Sequence, residues 1–211
     1  MSLYRDLILP RLVHGAMRNP DLVPYRQRVL EQARGRVLEI GIGSGLNLPH
    51  YPEAVGEVIG LEPSARLAAM ARQAASGVVI PVKILEESAE AIPLDDGTID
   101  TVVSTWTLCS IPDVARALAE LRRVLKPGGR FLFVEHGLSP DTSVRTWQRR
   151  LTPLWKCCAG GCHLDRPIDG LVQGAGFLCA ELRTGYAKGP RPMTFMYEGS
   201  ARSEERSRRA T

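Results

Sequence analysis

The sequence predicts an α/β fold: a central, mostly parallel sheet with helices on both faces. Short β-rich runs alternate with helical segments between residues 36 and 135. A glycine cluster follows the first of these runs, where a strand turns into a helix. The chain's 211 residues, 44% of them hydrophobic, suffice for one well-buried core and are few for two.

Residues 2–34 read as two helical pieces parted by the turn Asn19-Pro20-Asp21, with Asp21 as the cap of a second helix reaching Gln32. The run 36–40 is the first convincing strand and ends in the glycine cluster. Residues 57–62 and 82–85 are two further strands, and 64–75 is a helix opened by Pro63-Ser64. The segment 98–105 is the next buried strand. Residues 112–125 then place Val114, Ala117, Leu118, Leu121 and Leu125 on one helical face. Lys126-Pro127-Gly128-Gly129 stops that helix, because proline cannot extend it and glycines supply the turn. A fifth strand is expected over 130–135. Such alternation places ligands outside the carboxyl ends of the strands. Beyond residue 137 the pattern weakens, and 200–211, rich in Ser, Arg and Glu, is expected to be a disordered tail. The expected organisation is a single domain over 1–199. It comprises a helical cap (1–34), a cofactor-binding core (35–136) and a substrate-side segment (137–199).

Composition excludes several classes. A net charge of +4, with the basic residues dispersed or in the tail, gives no basic stripe, so no nucleic-acid partner is expected. No run approaches the roughly 18 to 20 apolar residues of a bilayer crossing. The apolar stretch 3–17 is itself broken by Arg5, Asp6, Pro10 and Arg11. Neither a signal peptide nor stable membrane insertion is expected. Five cysteines, odd in number and without the spaced pairs of a secreted scaffold, read as reduced thiols in a cytoplasm.

In Glu39-Ile40-Gly41-Ile42-Gly43-Ser44-Gly45 the glycines let the backbone approach a ligand without Cβ clashes. Glu62 and Pro63 close the second strand, where a carboxylate accepts both hydroxyl hydrogens of a ribose. A nicotinamide dehydrogenase needs a third glycine three positions after the second, and Leu46 stands there. Glu39, two residues before the first glycine, suits an ammonium group and opposes a pyrophosphate.

This Gly-x-Gly-x-Gly pattern with its leading acid resembles motif I of class I S-adenosylmethionine-dependent methyltransferases. The resemblance implies a Rossmann-like fold with S-adenosyl-L-methionine as cofactor and S-adenosyl-L-homocysteine as product. Ser88-Ala89-Glu90-Ala91-Ile92-Pro93-Leu94, with Asp96 to Val103 after it, resembles the segment that reads the adenine in this family, which assigns that role to Ser88 and Ala89. Many relatives carry aspartate at the position of Ser88, so a carboxylate contact to the adenine amino group is not carried over. The resemblance covers residues 35–136 and implies cofactor contacts from Glu39, Gly41, Gly43, Gly45, Asn47, Glu62, Pro63, Ser88, Ala89 and Thr105.

A narrower resemblance runs through Gly43-Ser44-Gly45-Leu46-Asn47, Tyr51-Pro52, Cys109-Ser110, Val134-Glu135-His136 and Gly161-Cys162-His163-Leu164-Asp165-Arg166. These segments look like the methyltransferase-like group that includes animal thiol methyltransferases. Those animal members carry a hydrophobic membrane-anchoring N-terminus, from which this chain departs. Relatives of quinone- and phospholipid-methylating enzymes share the pattern, so the resemblance leaves the acceptor open.

Methyl transfer from a sulfonium is an in-line displacement governed by positioning and exclusion of water. His136 is the candidate base, with Glu135 beside it. Trp106, Cys109 and His163 are the candidate substrate pocket, with Asp165 folding over it. Cys157, Cys158 and Cys162 with His163 form a local cluster, but adjacent cysteines are awkward chelators. A buried turn is expected there, and no metal. His14 and Tyr4, on the cap helices, are expected to serve packing. Amino-directed nucleic-acid methyltransferases commonly carry an Asn/Asp-Pro-Pro-aromatic motif after the fourth strand, where this chain has Ser104-Thr105-Trp106-Thr107-Leu108. The expected activity is methyl transfer to a small, largely apolar acceptor, a thiol first. The alternatives are a quinone, phenol or phospholipid acceptor, or a cofactor-binding module with little catalysis.

Overall fold

The computed structural model describes residues 3–203 of the chain. Among these, seven strands form one sheet: β1 (Gly35–Ile40), β2 (Val55–Leu61), β3 (Val82–Leu85), β4 (Ile99–Thr105), β5 (Leu125–His136), β6 (Phe177–Tyr186) and β7 (Phe195–Ser203). Their order is β3-β2-β1-β4-β5-β7-β6. The first five are parallel, and β7 lies antiparallel between β5 and β6. Seven α-helices accompany them: α1 (Leu9–Met17), α2 (Val23–Leu30), α3 (Ala65–Ala75), α4 (Val114–Val124), α5 (Thr142–Cys158), α6 (Ile168–Gly174) and α7 (Arg191–Thr194). A π-helical turn, Tyr4–Ile8, precedes α1. No helix among the described residues is long and apolar enough to cross a membrane.

The parallel strands are covered on both faces and therefore read as nearly continuous apolar runs. On one face Leu38, Ile40, Ile59, Val102, Phe131 and Phe133 pack with Leu118 and Leu121 of α4 and Val172 of α6. On the other, Val37, Val58, Val103, Leu132 and Val134 pack with Val29 and Leu30 of α2 and Ala71 of α3. Helix starts follow side-chain capping. The Ser64 hydroxyl accepts from the Leu67 amide ahead of α3, and the Asp113 carboxylate accepts from the Arg116 amide ahead of α4. Because β1 to β4 run the same way, the residues after Ile40, Leu61, Leu85 and Thr105 all emerge along one edge of the sheet.

Several boundaries differ from the sequence reading. Asn19, not Asp21, is the capping side chain at the turn, accepting from the Asp21 amide at 3.0 Å. It opens a 3-10 turn (Pro20–Leu22), and α2 then ends at Leu30, short of Gln32. The Lys126-Pro127-Gly128-Gly129 turn is folded into the start of β5: Leu125 already pairs with Ile99, and the register shifts before Arg130 meets Thr101. Past residue 137 the weak pattern conceals α5, α6, α7 and the β6–β7 hairpin. Residues 200–203 belong to β7, where Ala201 is fully buried opposite Phe131. The remainder of the expected tail, 204–211, lies outside the described residues.

Phe131 is fully buried, with ring centroids 5.3 Å from Phe133 and 5.2 Å from Phe177, so it joins β5 to β6. Phe131→Ala should lower the unfolding free energy by about 3–5 kcal/mol. Urea unfolding, read as a shifted midpoint at unchanged slope, checks this.

Candidate active site

A cavity of about 320 Å³ opens at the carboxyl edge of the sheet. Its floor is the loop after β1. Gly41 and Gly43 face it with φ of 59° and 58°, in the left-handed region that favours glycine. A Cβ on Gly41 would lie 2.4 Å from the Thr107 side chain, so the loop also needs glycine to pass the segment after β4. Gly45 does not face the cavity. It packs on α3, where a Cβ would come within 2.9 Å of Ala74.

Glu62, at the end of β2, lines the cavity. Its two oxygens accept from the amides of Gly43 (3.0 Å) and Ser64 (2.9 Å), which fixes the carboxylate against the glycine loop and leaves further lone pairs for a ligand. Burial raises its pKa, and the two amides partly oppose that. Pro63, Ser88 and Ala89 continue the wall. The Ser88 hydroxyl is engaged with Glu90 at 2.9 Å.

Glu39 and Asn47 do not reach the cavity surface; they form a buried network behind it. Asn47 Nδ2 donates to Glu39 Oε1 (2.7 Å) and to Thr105 Oγ1 (3.0 Å), and Tyr51 O–H donates to Glu39 Oε2 (2.7 Å). Asn47 Oδ1 accepts from Arg26 Nη1 at 2.6 Å. Burial pushes the Glu39 carboxyl up to about 7, partly opposed by Tyr51, Asn47 and Arg26. Thr105 both joins this network and lines the cavity.

Arg26 escaped the sequence reading, because a lone basic residue on an amphipathic helix reads as solvated. It is 5% exposed, lines the cavity, and lies 4.8 Å over the Trp106 ring. His14 was expected to serve packing. Instead it lines the cavity, with Nδ1 2.7 Å from the Ser44 hydroxyl of the glycine loop. Leu9, Pro10, Val13 and Met17 complete an apolar roof from α1, which follows the Tyr4–Ile8 turn. Tyr4 O–H ties that turn to the Cys158 carbonyl at 2.6 Å. Trp106, Ser110, Ile111 and Pro112, with Ala159 and Gly160, form the far wall. Trp106 has φ of 52°, unusual for a bulky residue and a mark of local strain.

The candidate catalytic pair lies elsewhere. Glu135 is fully buried, and its Oε1 accepts from Ser104 O–H (2.6 Å) and from the amides of Thr107 (3.0 Å) and Leu108 (3.1 Å). It holds the turn that carries Trp106. His136, on the opposite face of β5, meets Cys162 at 3.0 Å through Nε2. Burial works against its charged form, but Cys162 and Glu135 outweigh that, and the net shift is upward. Neither residue lines the cavity, so a base role for them lacks geometric support. Cys109 also sits behind the wall, 2% exposed. His163 donates its amide to the Cys109 carbonyl at 2.8 Å, its ring lies 4.0 Å from the Asp165 carboxylate, and neither His163 nor Asp165 is part of the cavity lining. Cys157 and Cys158 are exposed, so the local cysteine cluster does not converge.

The strand order with β7 inserted antiparallel, the glycine loop after β1 and the ribose-ready acid after β2 define a class I methyltransferase. A family model described as "Methyltransferase domain" matches residues 38–133. Demethylmenaquinone methyltransferase of Thermus thermophilus is 38% identical over 157 residues, 70% of this chain and 70% of that protein. Thiol S-methyltransferase TMT1B of Rattus norvegicus is 35% identical over 145 residues, 67% of this chain and 59% of the rat protein. The crystal structure of the YcgJ protein from Bacillus subtilis superposes with a TM-score of 0.66 at 17% identity, covering 87% of this chain and 98% of that one. The chain belongs to the S-adenosylmethionine-dependent methyltransferases. Its matched part spans between 51% and 63% of the length of the rat and human thiol methyltransferases and of a bacterial phosphatidylethanolamine N-methyltransferase.

The site residues fit the family's cofactor: glycine floor, a carboxylate with spare lone pairs, and a cation beside the roof. Glu62→Ala should weaken S-adenosylmethionine binding by roughly 1.5–3 kcal/mol, the range for lost charge-assisted hydrogen bonds. Calorimetry giving unchanged affinity would remove Glu62 from the site. Glu39 also generates a pH prediction. A carboxyl raised from 4.5 to about 7 on folding stabilises the protein below its unfolded pKa, and that contribution is lost as pH rises through the folded value. Between these limits the ligand-free protein should lose about 3 kcal/mol relative to Glu39→Gln. Paired urea titrations across that window measure the difference.

Proposed function

We propose that this chain transfers a methyl group from S-adenosylmethionine to a small, largely apolar acceptor, with alkyl or aryl thiols as the first class. The observation that carries this reading is the far half of the cavity. It is walled by Leu9, Pro10, Val13, Met17, Trp106, Ile111 and Pro112, with few polar side chains among them. Bound there, the cofactor supplies an electrophilic methyl group on a positively charged sulfur. Glu62 would accept the ribose hydroxyls, Ser88 and Ala89 would flank the base, and Arg26 would meet the carboxylate of the amino-acid end. The apolar roof would exclude water from the displacement.

A thiol is favoured because it asks least of the protein. Near pH 8 it is already partly thiolate, whereas a phenol or hydroquinone needs a better-placed base. Glu135 and His136 are withdrawn from the cavity, and His14 is the histidine on its wall. A quinol acceptor is the second reading, favoured by the similarity to the T. thermophilus demethylmenaquinone methyltransferase. In that case His14 would be the base.

A panel of thiols, catechols and quinols with tritiated S-adenosylmethionine tests both. The thiol reading expects turnover that rises with pH through the acceptor's own titration. His136→Ala and His14→Ala should each lose far less than the roughly 10²–10⁴-fold that a general base supplies. A pH profile independent of the acceptor's pKa, with a loss of that size in His14→Ala at unchanged cofactor affinity, would replace the thiol with an oxygen or carbon acceptor. A panel without turnover despite tight cofactor binding would leave the binding-module reading in its place.

A further inference from the structure

Cys109, His136 and Cys162 come from three segments far apart in sequence: the loop after β4, the end of β5, and the loop after α5. Their ligand atoms all lie within 4.8 Å of one another. Cys162 Sγ is 3.7 Å from Cys109 Sγ and 3.0 Å from His136 Nε2. The cysteines are 2% and 9% exposed. The other polar neighbours of Cys109 Sγ are distant, the Trp106 carbonyl at 3.6 Å and the Ser110 hydroxyl at 3.5 Å.

We propose that this cluster binds one thiophilic divalent cation of the zinc type. The donor set, two sulfurs and one imidazole nitrogen without a carboxylate, is the soft set that selects such ions over magnesium or calcium. The sulfur spacing agrees: a tetrahedral Zn²⁺ with bonds of about 2.3 Å to sulfur holds its sulfurs about 3.8 Å apart, whereas a disulfide requires about 2.05 Å. The Cys162–His136 pair, at hydrogen-bond distance, would open by about 0.5 Å to share the ion. Charge agrees as well. Two thiolates cancel the ion's charge, and the Arg166 guanidinium is buried beside the cluster. Arg166 is itself anchored on the Leu108 carbonyl and, at 2.7 Å, on the Ile111 carbonyl, so the cluster sits at the root of the far cavity wall. Binding breaks two S–H bonds, sends both protons to solvent, and forms two metal–sulfur bonds and one metal–nitrogen bond, while one water carried in by the hydrated ion keeps the fourth position. No electron is transferred. This site differs from the cluster weighed from sequence: Cys162 is retained, while Cys157 and Cys158 lie on the surface and His163 is replaced by His136.

The full chain, stripped with a chelator and kept reduced, is titrated with Zn²⁺ and separately with Co²⁺. The expected results are one ion per chain, about two protons released per ion, and a thiolate-to-cobalt charge-transfer band with the visible bands of a tetrahedral centre. Two of the five thiols should become protected from a thiol reagent. Cys162→Ser and His136→Ala should each lower Zn²⁺ affinity by roughly a hundredfold or more. The double variant Cys157→Ser/Cys158→Ser should leave it unchanged. Circular dichroism and S-adenosylmethionine affinity report whether the variants fold. A cobalt spectrum without sulfur character, a site lost with the surface cysteines, unchanged affinity in Cys162→Ser, or air oxidation to a Cys109–Cys162 disulfide without metal uptake would each overturn the proposal.

Discussion

Glu39 ends β1 at 1% exposure, with both carboxylate oxygens committed, one to Asn47 and one to Tyr51. A buried carboxylate without partners would cost several kcal/mol, so the surrounding polypeptide has to be arranged around it. Asn47 follows the glycine loop, Tyr51 follows the next 3-10 turn, and Thr105 closes β4; the Asn47 amide ties Thr105 to the acid, and Tyr51 bonds it directly. Arg26 extends the chain to α2, and through its bond to the Met17 carbonyl, at 3.2 Å, to the end of α1. Floor, far wall and roof of the cavity are thus all connected to one carboxylate. The acid lies behind the cavity, and within this network the charged side chain that reaches the cavity surface is Arg26.

A second buried acid does the same for the far wall. Glu135 gathers Ser104 and the amides of Thr107 and Leu108, and between these contacts Trp106 is held at positive φ. Unsatisfied backbone amides in so dry a place would be expensive, and a single carboxylate oxygen accepts both. The strain at Trp106 is maintained by this capping, which turns the indole toward Arg26. A strand-end acid can therefore face the cavity, as Glu62 does, or knit a loop, as Glu135 does.

That ambiguity marks where the sequence stops being legible. The alternation from β1 to β5 was readable because parallel strands buried on both faces stand out as apolar runs, and because the glycine loop and Glu62 sit at fixed offsets from them. The β6–β7 hairpin was not readable: β6 is a sheet edge whose residues after Phe177 are mostly exposed, so neither periodicity nor hydrophobicity announces it. At the site, Gly41, Gly43, Glu62, Pro63, Ser88, Ala89, Thr105 and Trp106 were found from local pattern, and all line the cavity. Arg26 and His14 were missed because their roles depend on contacts with residues 21 and 30 positions away. Glu135 and His136 misled because adjacent strand residues point to opposite faces, and nothing local says which face meets the cavity.

The two halves of the cavity are built differently, and this bears on acceptor choice. The cofactor half consists of strand-end loops held by backbone-to-carboxylate bonds and short glycine turns. Such contacts leave little room for substitution. The far half is enclosed by α1, by Trp106, Ser110, Ile111 and Pro112, and by Ala159–Gly160. Its roof is fastened at few polar points: the His14–Ser44 bond, the Tyr4 bond to Cys158, and the Arg26 bond to Met17. An apolar lid with so few anchors can exchange side chains without disturbing the cofactor floor, since apolar packing constrains volume more than identity. The segment shared with other methyltransferases, 38–133, contains the floor and the Trp106 to Pro112 part of the far wall but neither α1 nor Ala159–Gly160, so the far half of the cavity is completed by parts of the chain outside that segment.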